Sequence, residues 1–322
     1  MKRRHVLGAA ALAAIPLAGR AQAFPERPLR FVVPYAPGGS NDTSARIVAE
    51  KLAAVLGQQV IVDNKPGGGT IIGTEIVAKA KPDGHTILMT PAALIVNAAF
   101  GIAVPYDIEK DLTPVVAFVD LPMLLAASNN APFRSVAELV AWSKAAPGRV
   151  VDYASAGTGA ATHLWGEYLK ARSGLPLEHV GYKGASEALR DVIAGHVPLF
   201  SGVLVPTATA IRAGQLRGLA VAMPARSDLL PDVPTVAEAG LPGLEGSVPF
   251  GISAPGGTPA AVVMRLNAAF NEALADPVTR RKLLELGFVT IGGPPQAYAA
   301  LVAAEIAKWR QVIKESKIPA PS

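Results

Sequence analysis

Pro37-Gly38-Gly39-Ser40-Asn41-Asp42 and Ser155-Ala156-Gly157-Thr158-Gly159-Ala160-Ala161-Thr162 are the two stretches whose residue types and spacing could do chemistry. Each is a glycine- and hydroxyl-rich turn set between an apolar run and a helix-forming one: Leu29 to Pro34 precedes the first, and Val150 to Tyr153 the second. A turn of that kind leaves the first N–H groups of the helix unpaired and aimed at the strand end, where the helix dipole also favours negative charge. Each is a candidate anion cradle. About 120 residues separate them, which points to one anionic ligand gripped from two halves of the molecule.

Two further turns share part of this design. Lys183-Gly184-Ala185-Ser186 opens a helix after the apolar run 177–181, so its N–H groups could face the same ligand. Gly67-Gly68-Gly69-Thr70, after Pro66, reads as a tight connection with close helix packing. Asp42 reads as a helix cap that shapes its turn, because a free carboxylate would repel a bound anion. The roles of Thr90 and Asn97 stay open.

Signals for catalysis are weak. There is no Gly-x-Ser-x-Gly elbow, no Walker sequence with its lysine and no His-Glu-x-x-His. The segment Gly157 to Thr162 approaches the dinucleotide fingerprint but has threonine where the third glycine or alanine belongs. Ser155 and His163 could form a serine–histidine pair; that spacing equally suits a loop hydroxyl and a histidine settling local hydrogen bonds. The chain is read as a non-enzyme without metal or cofactor, and a small periplasmic hydrolase is the alternative.

These turns must be positioned by a frame, and the hydrophobic pattern supplies one. Apolar bursts of four to seven residues alternate with helical patterns, the signature of an α/β fold with largely parallel sheets. Strands are expected near 29–34, 58–63, 86–90, 114–119, 123–128, 150–154, 177–181, 197–201, 216–221, 249–254 and 287–291. Ser135-Val136-Ala137-Glu138 is a capping-box start, and Asp276-Pro277 sets a cap before a first-turn proline. Tyr298, Val302, Ile306, Trp309 and Ile313 recur at intervals of three and four, giving an amphipathic closing helix. The expected layout is residues 24–122 and 255–322 in a first domain and 123–254 in a second. The chain then crosses twice, near 122–128 and 246–254, and a cleft lies between the lobes, where small-ligand sites tend to fall.

The first 23 residues read as an export signal. Lys2, Arg3 and Arg4 precede a small apolar run, Val6 to Leu17, and Ala21-Gln22-Ala23 fits a signal-peptidase site. Arg3-Arg4 also resembles a twin-arginine signal, with Sec export the alternative. This segment holds four basic residues and no acidic one, so the formal charge of +5 falls to +1 over the remaining 299 residues. Without a basic stripe, nucleic acid is a poor guess for a partner. With no cysteine there is neither disulfide nor lipid anchor, and an exported protein must stand on its core. A periplasmic monomer is expected.

At these turns the chain resembles a known family. Pro34-Tyr35-Ala36-Pro37-Gly38-Gly39-Ser40-Asn41-Asp42 with Ala45-Arg46 is similar to the first motif of the Bug (Bordetella uptake gene) solute receptors. These are the extracytoplasmic binding proteins of tripartite tricarboxylate transporters. The likeness continues through Asn64-Lys65-Pro66-Gly67-Gly68, Pro82-Asp83-Gly84, Pro105-Tyr106-Asp107, Tyr153 to Gly159 with His163-Leu164, Tyr182-Lys183-Gly184, Leu230 to Thr235 with Glu238-Ala239-Gly240, and Ala254-Pro255. The resemblance implies a two-lobed periplasmic binding protein with a type II-like chain crossing, whose interlobe cleft holds a small carboxylate on backbone N–H groups and small hydroxyls. Carried over, the ligand-binding set is Gly39, Ser40 and Asn41 on the first lobe and Ser155, Gly157, Thr158, Ala160 and Ala161 on the second. Thr90 joins it, and Lys183 and Gly184 act as closers. Two departures stand out: Phe200-Ser201 where the family usually has aspartate after phenylalanine, and Pro249-Phe250-Gly251 where it often has Trp-x-Gly. Ser201 is included in the set, and the lost negative charge favours a non-amino carboxylate. The partners implied are the transporter's membrane components; an exported sensor without its own permease is the alternative.

Overall fold

The computed structural model describes residues 24–146 and 148–320. The proposed signal segment, residues 1–23, lies outside these. The first half runs β1 (Leu29–Val33), α1 (Ser40–Leu56), β2 (Val60–Asn64), a 3-10 turn at Gly68–Thr70, α2 (Ile71–Ala78), β3 (Thr86–Thr90), α3 (Ala92–Phe100) and β4 (Leu112–Ser128). Next come α4 (Val136–Lys144), β5 (Val151–Ser155), α5 (Ala161–Ser173), β6 (Leu177–Gly181), α6 (Ala185–Ala194), β7 (Leu199–Val203), α7 (Leu204–Arg212) and β8 (Leu216–Val221). The chain closes with β9 (Ser247–Pro255), α8 (Ala260–Ala275), α9 (Pro277–Glu285), β10 (Val289–Gly292) and α10 (Pro295–Ser316).

The two strands expected at 114–119 and 123–128 are one. β4 is 17 residues long and serves two sheets: residues 112–122 pair with β9, and residues 123–128 pair with β7 and β8. Pro122 marks the change of partner. A proline cannot donate to a ladder, and at this step the ladder changes hands between Ser247 of β9 and Val203 of β7. Pro114 is likewise tolerated at a register shift. β9 pairs with β4 along its whole length, from Ser247 to Pro255, and with β3 at residues 251–253.

Each sheet is covered on both faces. Phe31, Phe118 and Phe270 fill one side of the first sheet with the apolar face of α1, and Val32, Leu88 and Leu94 fill the other. On the second sheet Tyr153, Leu164 and Trp165 form one side, and Ala154, Phe200 and Leu204 the other. Helix α10 serves both halves. Its Tyr298 lies over Gly251 of β9, where a Cβ would meet the ring at 1.8 Å, while Trp309 and Val312 join the core of the second sheet. The expected caps are present: Ser135 Oγ accepts the Glu138 N–H at 3.1 Å, and Asp276 accepts the Thr279 N–H at 2.9 Å.

Candidate functional site

In the first cradle Gly39 is the N-cap of α1, with no side-chain cap on the helix. Asp42 shapes the turn as expected, though from inside the helix rather than from the N-cap position. It is the third residue of the helix, buried, and its carboxylate reaches back to accept the Gly38 N–H at 2.8 Å. The Arg46 guanidinium and the Asn64 amide each bind the same carboxylate at 3.0 Å. Burial acts to raise the Asp42 pKa, but the hydrogen bonds from Arg46, Gly38 and Asn64 outweigh it and hold the group below the usual carboxylate range. Its charge is thus locally neutralised. The first helical bond from this turn is Thr43 N–H to Gly39 O, so the amides of Ser40, Asn41 and Asp42 have no partner among the described residues.

The second cradle is more heavily bonded. Ala156 N–H donates to Thr162 Oγ1 at 3.1 Å, Gly157 N–H to Ser155 Oγ at 3.2 Å, Gly159 N–H to His163 Nδ1 at 3.0 Å and Ala160 N–H to Gly157 O at 3.1 Å. The amides of Gly157 and Ala160 are therefore engaged within the turn, contrary to the sequence expectation. Those of Thr158, Ala161 and Thr162 have no partner among the described residues. Thr158 is exposed. Ser155 is fully buried and pairs with His179 Nε2 at 2.6 Å, not with His163. Ser201 is also fully buried, its hydroxyl donating to Thr162 O at 2.6 Å. Both serines shape the turn from beneath. Sequence reasoning missed His179, because nothing local links residue 179 to residue 155; only the β5–β6 pairing brings them together.

The third turn lies against the second. A Cβ at Gly157 would come within 2.6 Å of the Tyr182 carbonyl oxygen, and Gly157 has φ 131°, so glycine is required there. Gly184 is the uncapped N-cap of α6, and Lys183 is exposed without an ion pair among the described residues. Thr90 is the last residue of β3. Its hydroxyl meets Ser253 Oγ at 2.7 Å beneath Tyr298, at the floor of an apolar cavity of about 320 Å³ under α10. Those hydroxyls satisfy one another and offer a carboxylate little.

Strand directions decide how the cradles relate. β3 and β4 both run antiparallel to β9, and β1 is parallel to β3, so β1 and β3 run toward Pro122, where β4 leaves the first sheet. β7 is antiparallel to β4, with β5 parallel to β7 and β6 parallel to β5, so these three run toward Met123, where β4 enters the second sheet. The C-terminal strand ends, and the helix starts that follow them, therefore face the crossing from opposite sides. Thr90 is level with Ala117 of β4 through Gly251, and Ala154 is level with Ala126 through Phe200. Nine residues of strand separate those levels, roughly 30 Å at about 3.3 Å per residue, and the turns project into that space. Ligands of open α/β sheets sit outside the carboxyl ends of strands.

Residues 44–318 match the family described as the tripartite tricarboxylate transporter family receptor. The chain belongs to this family, that of the Bug receptors. The receptor is 42% identical over 322 residues to a protein encoded in the tcbD–tcbE intergenic region of Pseudomonas sp. strain P51, covering 99% of this chain and 96% of that one. It is 34% identical over 298 residues to BugT of Bordetella pertussis, covering 92% and 91%. Among solved structures it resembles R. palustris Rpa4515 with adipate, at 34% identity and TM-score 0.73, covering 92% of this chain and 99% of that one. It also resembles MatC of Rhodopseudomonas palustris with bound malate, at 32% identity and TM-score 0.69, covering 90% and 100%. The receptor has the two-lobed, type II-like α/β fold of periplasmic binding proteins, with its cleft between the lobes.

Proposed function

We propose that this receptor captures a small non-amino carboxylate in the periplasm and presents it to the membrane components of a tripartite tricarboxylate transporter. The observation that carries this reading is the approach of uncapped helix starts to the crossing from both sheets. Relatives found with adipate and malate support the ligand class. The proposed contacts are the amides of Ser40, Asn41 and Asp42 on one side and those of Thr158, Ala161 and Thr162 on the other, with the Thr158 hydroxyl and Lys183.

A charge-assisted hydrogen bond contributes about 1.5–3 kcal/mol, and a helix terminus about 0.3–1 kcal/mol or more when desolvated. Four or five such bonds, less the freedom lost on binding, leave roughly 8 kcal/mol, a dissociation constant near micromolar. A ligand bridging both lobes binds the closed form better and shifts the population toward it, which gives a membrane partner a shape to read. An ammonium group finds no counterion at the first cradle, because the Asp42 carboxylate is already bound by Arg46, Gly38 and Asn64.

Calorimetry of residues 24–322 with succinate, adipate, malate and aspartate tests the proposal. Micromolar binding of at least one non-amino acid, tighter than aspartate, is expected. Tighter binding of aspartate overturns the ligand class, and no heat from any acid overturns the site. The Ser155–His179 pair gives a hydrolase reading its geometric basis, but the serine has no exposed surface for a substrate to reach. Recovery of each acid, and of its methyl ester, unchanged after prolonged incubation separates the two readings.

A further inference from the structure

We propose that His163, braced by the ring of His179 stacked on it, is the positioning residue of the second cradle. It holds the Gly159 amide turned into the protein and leaves the amides of Thr158, Ala161 and Thr162 outward. This rests on the reading of the turn as a carboxylate cradle.

The two cradles are built alike at this point. In each, a glycine with positive φ precedes the N-cap: Gly38 at 84° and Gly159 at 78°. In each, the third residue of the helix reaches back to accept that glycine's N–H, Asp42 at 2.8 Å and His163 at 3.0 Å. The same device caps α4, where Glu138 accepts the Arg134 N–H at 2.7 Å. What differs is charge. Asp42 is hydrogen-bonded by its own Arg46, whereas among the described residues the cation felt at position 163 is Lys170, already paired with Glu178 at 3.7 Å, and an acidic acceptor there would set a poorly compensated negative charge beneath the anion. A neutral imidazole performs the capping without that repulsion.

The surroundings keep it neutral. The two rings stack at 3.7 Å with an interplanar angle of 18°, an arrangement two imidazolium ions would resist. Gly159 N–H points at Nδ1, so the His163 proton resides on Nε2. Ser155 Oγ accepts the Gly157 N–H at 3.2 Å and lies 2.6 Å from His179 Nε2, a bond whose direction follows the His179 tautomer. His163 thus acts as an acceptor. The charged groups around the pair are Lys170 and Glu167 on α5 and Glu178 on β6, with the Tyr153 ring 5.2 Å from His179. Burial pushes both imidazoles down to about 4.

The test uses three variants and two readouts. In His163→Asn the side-chain oxygen takes the place of Nδ1; in His163→Asp the acceptor is retained and a charge added; in His163→Ala both are lost. Calorimetry with adipate and malate is expected to show about a tenfold loss for Ala, most of that restored by Asn, and about a hundredfold loss for Asp. NMR exchange of the Gly159 amide, measured without ligand, is expected to show protection in the wild type, Asn and Asp proteins and its loss in Ala. Thermal melts confirm that each variant is folded. Equal affinity in Asp and Asn, or a Gly159 amide as protected in Ala as in the wild type, overturns the proposal. A wild-type protein that binds neither acid while Gly159 is protected as expected sinks the functional reading alone.

Discussion

Ser201 Oγ donates to the carbonyl oxygen of Thr162 at 2.6 Å, both residues buried, and this bond ties β7 to the first turn of α5. The side chain here is a hydroxyl acting on the backbone. Ser201→Ala is expected to cost about 1 kcal/mol of stability, with ligand affinity within threefold. A tenfold loss of affinity at unchanged stability would instead place Ser201 against the ligand.

Gly39 offers a cleaner probe of the first cradle than the other glycines. Its φ is −77°, and a Cβ would meet nothing nearer than Ala36 O at 3.7 Å, so the backbone accepts a side chain. Gly39→Val is expected to cost about 1 kcal/mol as a poor N-cap and to abolish carboxylate binding by covering the free amides. Retained affinity in a folded Val variant moves the ligand away from α1.

Lys183 is exposed and acts as a point charge at the edge of the second cradle. Lys183→Gln is expected to weaken binding about two- to fivefold at low ionic strength, and the difference should vanish near 0.5 M salt as the charge is screened. A salt-independent change would show a packing role.

The histidine pair makes stability pH-dependent. The folded pKa values, about 4, lie below the unfolded value near 6.5, so the unfolded chain binds more protons between those limits and stability falls as pH drops through that window. The loss is on the order of 2–3 kcal/mol for buried His163 and less for half-buried His179, which solvent screens. Urea denaturation at pH 4.5 and pH 7 should show a smaller drop for His163→Asn than for the wild type; equal drops would count against it.

Asp120, on β4 two residues before Pro122, behaves oppositely. Burial, with Glu305 adding to it, pushes its carboxyl up to about 6, and Oδ1 has no partner among the described residues beside a cavity of about 390 Å³ at the crossing. The fold favours the protonated form, so this contribution is present below about pH 4 and is lost as pH rises through about 6. Asp120→Asn should raise stability on the order of 2 kcal/mol at pH 7.5 and change little at pH 4. A destabilised Asn variant at pH 7.5 would show that the charge is compensated.

Much of the architecture was legible in the chain alone, because strand and helix periods, caps and glycine turns are local. The alternation of apolar bursts with helical patterns marked each strand, and Ser135-x-x-Glu138 and Asp276-Pro277 marked helix starts that the structure keeps. The motif series from Pro34 to Pro255 pointed to the Bug receptors before any coordinate was needed, since a series of turns in one order is itself a linear signal.

Tertiary structure alone decided what depends on pairing between distant segments. Pro122 reads as a break, yet β4 runs through it, because the partner strand changes at a residue that has no N–H to give. Ser155 and Ser201 read as ligand hydroxyls, yet His179 and the Thr162 carbonyl claim them across the sheet. Gly157 and Ala160 read as free amides, and the turn's own closure occupies them. A sequence shows which groups can bond; which of them remain free is settled by how strands line up, since a buried polar group takes whatever partner the fold brings within reach.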